Sequence, residues 1–304
     1  MEYPKNFREF DRTFANDEAC LRFLEQVRWG KEFKCQKCGT DKYWTMATGL
    51  RRCQACRFKN SVKVGAIFES SRLPVKTWFQ AIWWITVQKN GVSALNFQKN
   101  IGLGSYRTSW LLFHKIRNAM VHADRTLLQG EVEVDEAFIG GVRSGKRGRG
   151  AEGKQLIVIA AEFSGKSRIG RIRIQRITDA SAVSLQSFIV ANVAKGSTIH
   201  TDGWKSYGSL EKLGYKHLPR KSASVHPDEL LPRINSVTAH LKRWLLGTLH
   251  GRLDPQHMTS YFEEFVFRFN RRTSKARGQL FQRVLENSIR VEPAPYRKII
   301  ARNL

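Results

Sequence analysis

Four of the five cysteines fall in two matched pairs, "CQKC" at 35 and 38 and "CQAC" at 53 and 56, with fourteen residues between the pairs. A two-residue gap lets each knuckle turn back so that both thiolates reach about 2.3 Å from one Zn²⁺. Cys35, Cys38, Cys53 and Cys56 therefore predict a tetrahedral zinc site with no position left for water, which makes it structural. Metal of this kind folds a unit too small for its own core. Paired spacing also points to a reducing compartment, since neither a disulfide framework nor a single redox pair explains two equal knuckles. Gly39, Gly49 and Gly65 punctuate short aromatic and basic segments here, so a few short strands are expected. Cys20 lies in "DEACLRFLEQVRWG", where helical periodicity turns it inward with Leu21, Leu24 and Val27, as a small apolar residue and not a fifth ligand.

A formal charge of +26, from 52 Lys and Arg against 26 Asp and Glu, makes a compact chain repel itself unless a polyanion compensates it. Nucleic acid is the expected partner, because each neutralised phosphate releases a counterion. A basic protein without such a partner, or an anionic-membrane binder, is the alternative, but no amphipathic basic helix stands out. No apolar run approaches the roughly 18 to 20 residues of a membrane span, and the N-terminal stretch lacks a signal-peptide core. A cytoplasmic, nucleoid-associated protein is expected.

After the cysteines, "SRLPVKTWFQAIWWITVQKNG" opens a helix after Pro74 and closes it at Gly91. "VSALNFQKNIGLGSYRTSWLLFHKIRNAM" fits a helix-turn-helix, with Gly102 to Gly104 in the turn and Tyr106, Arg107, Thr108 and Lys115 on the second helix. A plain three-helix bundle has the same periodicity. Trp83, Trp84 and Trp110 read as bundle core. Around the zinc, Lys37, Arg51, Arg52 and Arg57 are candidates for phosphate contact.

Past Gly130 the period changes from helical to alternating. "EVEVDEAFIGG", "KQLIVIAAEF" and "RIGRIRIQRI" read as three strands, "DASAVSLQSFIVANV" as a helix, then "STIHTDG" and "YKHLP" as short strands. Three adjacent strands and a helical crossover give a mixed sheet with helices on its faces. "GGVRSGKRGRGAEGK" reads as a basic hairpin loop. Asp135 sits inside an alternating strand, with Glu131 and Glu133 on its face and Val132, Val134 and Glu136 on the other. Asp202 follows the next short strand, where a turn aspartate is the simpler reading. If two adjacent strands bring both to one sheet edge, their hard oxygens can hold divalent ions. Two ions about 4 Å apart activate an attacking hydroxyl and stabilise the leaving oxygen in phosphoryl transfer. In "INSVTAHLKRWLLGT", Asn235 and Lys242 are seven positions apart and share one side of a helix, reading locally as a cap and a solvated lysine.

Together "CQKCG", "RRCQACRFKNSVKVGAIFESSRLPVKTWFQAI", "VEVDEAFIGG", "HTDGWKSY", "LKRWLLGTLHG" and "YFEEFVFRFNRR" resemble the bacterial insertion-sequence transposases with an N-terminal zinc ribbon and a DD(E/N/H)K catalytic domain. The resemblance runs from about Phe14 to Arg272. It implies an RNase-H-like fold in which Asp135 and Asp202 are the metal-binding aspartates, Asn235 the third ligand and Lys242 the fixed lysine. Two Mg²⁺ or Mn²⁺ ions would be the catalytic cofactors, beside structural Zn²⁺. Asp228, Glu229, Glu263 and Glu264 are charged alternatives to Asn235, although "YFEEF" reads as a helix with a solvated acidic face. Arg243, Arg268, Arg271 and Arg272 suit phosphate contact or packing.

The expected organisation is an N-terminal helix and zinc ribbon over 1–68, a helix-turn-helix region over 69–126, an RNase-H-like α/β domain over 127–290 and a tail over 291–304. The resemblance implies a DNA transposase that binds terminal inverted repeats, cleaves there and joins the ends to target DNA, as a homodimer or larger assembly. The alternatives are a DNA-binding regulator, an inactive transposase derivative, or a nuclease without joining activity.

Overall fold

The computed structural model describes residues 3–30, 32–121, 125–140, 154–165, 168–220, 230–250 and 254–300. These divide into two units, one from Met1–His122 with Ser274–Arg302 and one from Ala123–Thr273. No described helix is long and apolar enough to cross a membrane.

In the first unit, helices start where short polar side chains can accept from free backbone N–H groups. Asn6 caps α1 (Phe7–Thr13) through the Glu9 N–H, and Asn16 caps α2 (Asp17–Trp29) through that of Ala19. Pro74 precedes α3 (Val75–Val87) and offers no such group. The Asp17 carboxylate supplies it instead, accepting from the Val75 and Lys76 N–H groups at 3.0 and 2.8 Å. Between α2 and α3 lies an antiparallel ribbon of β1 (Tyr43–Thr45), β2 (Arg51–Cys53) and β3 (Lys59–Asn60). Helix α4 (Ala94–Ile101) stops at Gly102, whose φ of 72° suits a residue without Cβ, and a short turn leads to α5 (Tyr106–Met120). Trp83 is buried as expected, while Trp110 is only partly buried and packs on His114 at 4.2 Å. Cys20 is fully buried, and desolvation pushes its thiol up to about 12.

The second unit is built on one five-stranded sheet of order β6-β5-β4-β7-β8. Strands β4 (Glu131–Ile139), β5 (Gln155–Ser164) and β6 (Arg168–Arg176) are antiparallel neighbours. After α6 (Ala182–Asn192), β7 (Thr198–Thr201) joins β4 in parallel, and β8 (Lys216–Pro219) joins β7 in parallel. On one face Val132, Val134, Val158 and Ile199 pack with Leu185 and Phe188 of α6. On the other, Ile139, Ile157 and Ile159 pack with Ile234, Val237 and Leu241 of α7 (Pro232–Leu249) and Phe262 and Phe265 of α8 (Met258–Phe269). Strand β5 is covered on both sides, which is why it reads as a continuous apolar run. This mixed sheet with helices on both faces is the RNase-H-like arrangement.

Two more helices, α9 (Arg277–Ser288) and α10 (Tyr296–Ile300), follow, and they belong with the first unit. The span 127–290 thus takes in a helix whose apolar face is used elsewhere. Phe281 packs against Phe10, Phe14, Phe79 and Trp83 at centroid distances of 5.5, 5.6, 5.8 and 5.6 Å. Gly278 permits that approach, since a Cβ there would sit 1.8 Å from the Pro4 carbonyl oxygen.

Helix α7 has no local side-chain cap. Its first turn is held by Glu133 of β4, whose carboxylate accepts from the Arg233 N–H at 2.9 Å, the Ile234 N–H at 3.1 Å and Arg233 Nη1 at 2.8 Å. Glu133 is 0% and Arg233 8% exposed. Removing one partner leaves a buried charge uncompensated, which costs about 3–5 kcal/mol. Glu133→Ala is expected to lower stability by that amount in denaturant unfolding, and an unchanged midpoint would exclude the pair as the anchor of α7.

Candidate active site and zinc centre

The ribbon turns bring all four paired cysteines together, with every ligand atom within 4.8 Å of the others. Cys35 and Cys56 Sγ are 3.6 Å apart, and Cys38 and Cys53 Sγ 3.5 Å. Four sulfurs about 2.3 Å from zinc stand about 3.8 Å from one another, whereas a disulfide needs about 2.05 Å. The cluster fits structural zinc. Asn60, which is fully buried, holds it from behind: its amide donates to Cys35 Sγ and to the Arg51 carbonyl, and its oxygen accepts from the Gln36 N–H. Burial opposes ionisation of Cys35, but the N–H groups of Lys37 and Cys38 and the Asn60 amide outweigh it and bring the thiol down to about 6.

The basic residues of the first unit separate into two groups. Arg51 lies over the rings of Trp29 and Tyr43 at 4.5 and 4.8 Å and pairs with Glu25 at 3.1 Å. Lys115 is half-buried near Trp78, and desolvation lowers its pKa. Both are used inside the unit. Arg52, Arg57, Tyr106 and Arg107 are exposed, and Thr108 is half-buried. Arg57 stacks on the exposed Trp44 at 4.4 Å and Arg107 on Tyr296 at 4.3 Å.

In the second unit, β7 pairs with β4 only as far as Glu133↔His200. Asp135 thus lies beyond the last paired position, and Asp202 is the first residue after β7. Both line one cleft of about 470 Å³, with Glu136, Phe138, Leu156, Ala180 and Trp204. Open α/β sheets bind ligands at this place, outside the carboxyl ends of parallel strands. Asp202 Oδ1 accepts from the Trp204 N–H at 2.9 Å, and Asp135 Oδ1 from the Glu136 N–H at 2.8 Å. Burial, then the charges of Asp202 and Glu136, push Asp135 up to about 8. Glu136 is also raised, first by burial, and its Oε1 is buried with no hydrogen-bond partner among the described residues. A divalent cation fits this donor set, since it relieves the repulsion between the carboxylates.

Glu136 escapes sequence reading because alternation assigns it to the core face with Val132 and Val134. Asn235 and Lys242 do not line the cleft. Asn235 is half-buried, and its N–H donates to the Leu231 carbonyl, so it sits inside α7 and is not the expected cap. Lys242 and Arg243 are exposed further along. The "YFEEF" face is not solvated: Glu264 is fully buried and Glu263 half-buried, because α8 packs over most of its circumference. Arg271 and Arg272 stack on Phe267 and Phe269 at 4.2 and 4.1 Å and donate to carbonyl oxygens, which is packing. Arg268 is half-buried. Asp228, Glu229 and the basic segment 141–153 lie outside the described residues.

Comparison with known proteins matches residues 127–270 to the model of the ISXO2-like transposase domain and residues 15–59 to that of a transposase zinc-ribbon domain. A relative from Halobacterium salinarum, an uncharacterized protein in transposable element ISH50, is 22% identical over 283 residues, covering 84% of this chain and 92% of its own.

Two outcomes are expected. Cys35→Ser should release zinc, read as metal content per chain by mass spectrometry; retained stoichiometric zinc would refute the four-sulfur site. Because protons and cations compete for Asp135, the thermal stabilisation given by Mg²⁺ should grow as pH rises through about 8, and Asp135→Asn should flatten that dependence. Equal stabilisation at pH 6 and pH 9 would argue against cation binding there.

Proposed function

Because the chain belongs to the insertion-sequence transposases that join a zinc ribbon to a DDE domain, we propose that it binds the terminal inverted repeats of its own element and catalyses metal-dependent cleavage and strand transfer of DNA. The observation that supports this reading is the meeting of Asp135 and Asp202 in one cleft, where the parallel pairing of β4 and β7 stops. In the proposed site these two aspartates would hold a pair of Mg²⁺ or Mn²⁺ ions, and Asn235 of α7, although it does not line the cleft, is the proposed third protein ligand. When bound, such ions supply Lewis-acid activation of the attacking hydroxyl and stabilisation of the leaving oxygen.

The protein's own residues do the rest. Asp135, its carboxyl pushed up to about 8 by burial and the neighbouring carboxylates, would be held in its charged form by the ion. Asp202 is fixed by its hydrogen bond from the Trp204 N–H, which leaves its second oxygen for the ion. Lys242 contributes a positive charge to the phosphates of the strand, and Arg243 is the neighbouring backbone contact. Exposed Arg52, Arg57, Tyr106 and Arg107 and half-buried Thr108 of the first unit make the sequence-reading and phosphate contacts, with Lys115 and Arg51 supporting them from within the unit. Synapsis of two element ends calls for a dimer or larger assembly on DNA, and the enzyme works at the nucleoid.

The test is strand transfer on DNA carrying the element's ends. Asp135→Ala and Asp202→Ala should each abolish joined product with Mg²⁺ or Mn²⁺ while leaving end binding within about twofold. Asn235→Ala should also remove activity; full activity would exclude it as a ligand. A wild-type protein that binds the ends and cuts with neither metal would identify a binding protein instead.

A further inference from the structure

The cleft is lined by two chemically different sets of residues, acidic Asp135, Glu136 and Asp202 and apolar Phe138, Leu156, Ala180 and Trp204. Trp204 is 38% exposed, although a tryptophan gains most from full burial. It does not hang loose. Gly203, at φ +82°, reverses the chain directly after Asp202, and the Trp204 N–H closes that turn on Asp202 Oδ1. On its other side the Tyr207 N–H donates to the Trp204 carbonyl at 3.0 Å, and Tyr207 itself is fully buried. The backbone that carries the indole is thus anchored on both sides, two residues from Asp202.

We infer that Trp204 is a substrate-positioning residue that stacks on an unpaired nucleobase of the DNA strand whose phosphate lies at Asp135 and Asp202. This rests on the reading of the cleft as the site of DNA cleavage. A cleft of about 470 Å³ has the size of a small-ligand site, fit for a single nucleotide unit and not for a helix or a strand of protein. Its carboxylates would take the phosphate through cations, and an indole among its lining residues offers a stacking surface that suits any base. Inside a duplex the base is already stacked, so the nucleotide must leave the helix, and the indole offsets part of that unstacking. Because the Trp204 backbone is bonded to Asp202, the position of the base would follow that of the phosphate.

The experiment uses the full chain in Ca²⁺, with a duplex bearing a three-nucleotide 3′ single-stranded overhang, intact or with abasic sites in the overhang. Fluorescence anisotropy should show Trp204→Ala binding the intact overhang about tenfold more weakly than wild type. Trp204→Phe should recover most of that loss. On the abasic overhang wild type and Trp204→Ala should bind alike, an outcome that a merely structural role would not produce. Terbium luminescence should report the same ion affinity in both proteins. Equal affinity of wild type and Trp204→Ala for the intact overhang overturns the inference, as does an equal loss on intact and abasic DNA. Failure of wild type to cleave element ends would overturn the catalytic reading and leave this binding difference standing.

Discussion

Glu133 and Arg233 meet where the sheet of the second unit receives its long helix, and the orientation of α7 depends on that meeting. A buried ion pair adds little net stability, since desolvation offsets most of the attraction. What it does is penalise every arrangement in which either charge lacks its partner. Rotating α7 or sliding it by one turn would strand Arg233 and withdraw two backbone N–H groups from the carboxylate. The apolar stripe of Ile234, Val237, Leu241 and Leu245 is satisfied by contact of any register; the pair selects one. Through it, the strand that carries Asp135 also determines where Asn235 and Lys242 stand.

Charge acts in opposite senses on two length scales. Over the whole chain a formal +26 draws a polyanion. Within the cleft three carboxyl groups crowd together, and burial with their mutual repulsion raises Asp135 and Glu136. In the proposed reaction site a cation would offset that repulsion, whereas the general attraction of a polyanion needs none. Arg51 and Lys115 are outside this scheme, their charges being spent on aromatic rings and partial burial.

Features set by nearest neighbours in the chain could be read from the sequence. The cysteine spacing predicts the knuckles, and strand alternation places Asp135 with Glu133 on one face. Features set by where an element stops could not. Strand β7 ends one residue before Asp202 and leaves the ladder open beside Asp135, which is why Glu136 faces a cleft instead of the core. Asn235 looks like a cap because it follows an apolar residue and precedes a helical pattern. Glu133, distant in sequence, holds a helix that begins earlier, at Pro232. Likewise Glu264 looks solvated beside Glu263, and only the packing around α8 shows that it is buried.

Phe281 comes from the far end of the chain, yet its ring contacts are with Phe10, Phe14, Phe79 and Trp83. The second unit is thus spliced into the first, and the first cannot close its aromatic core while a ribosome is still making the second. During synthesis the RNase-H-like sheet has all its strands before the zinc-bearing unit has its last helix. A frameshift or nonsense codon after Thr273 would spare the sheet and its carboxylates and leave the N-terminal helices with an open apolar face. Damage at the C-terminus is felt at the N-terminus.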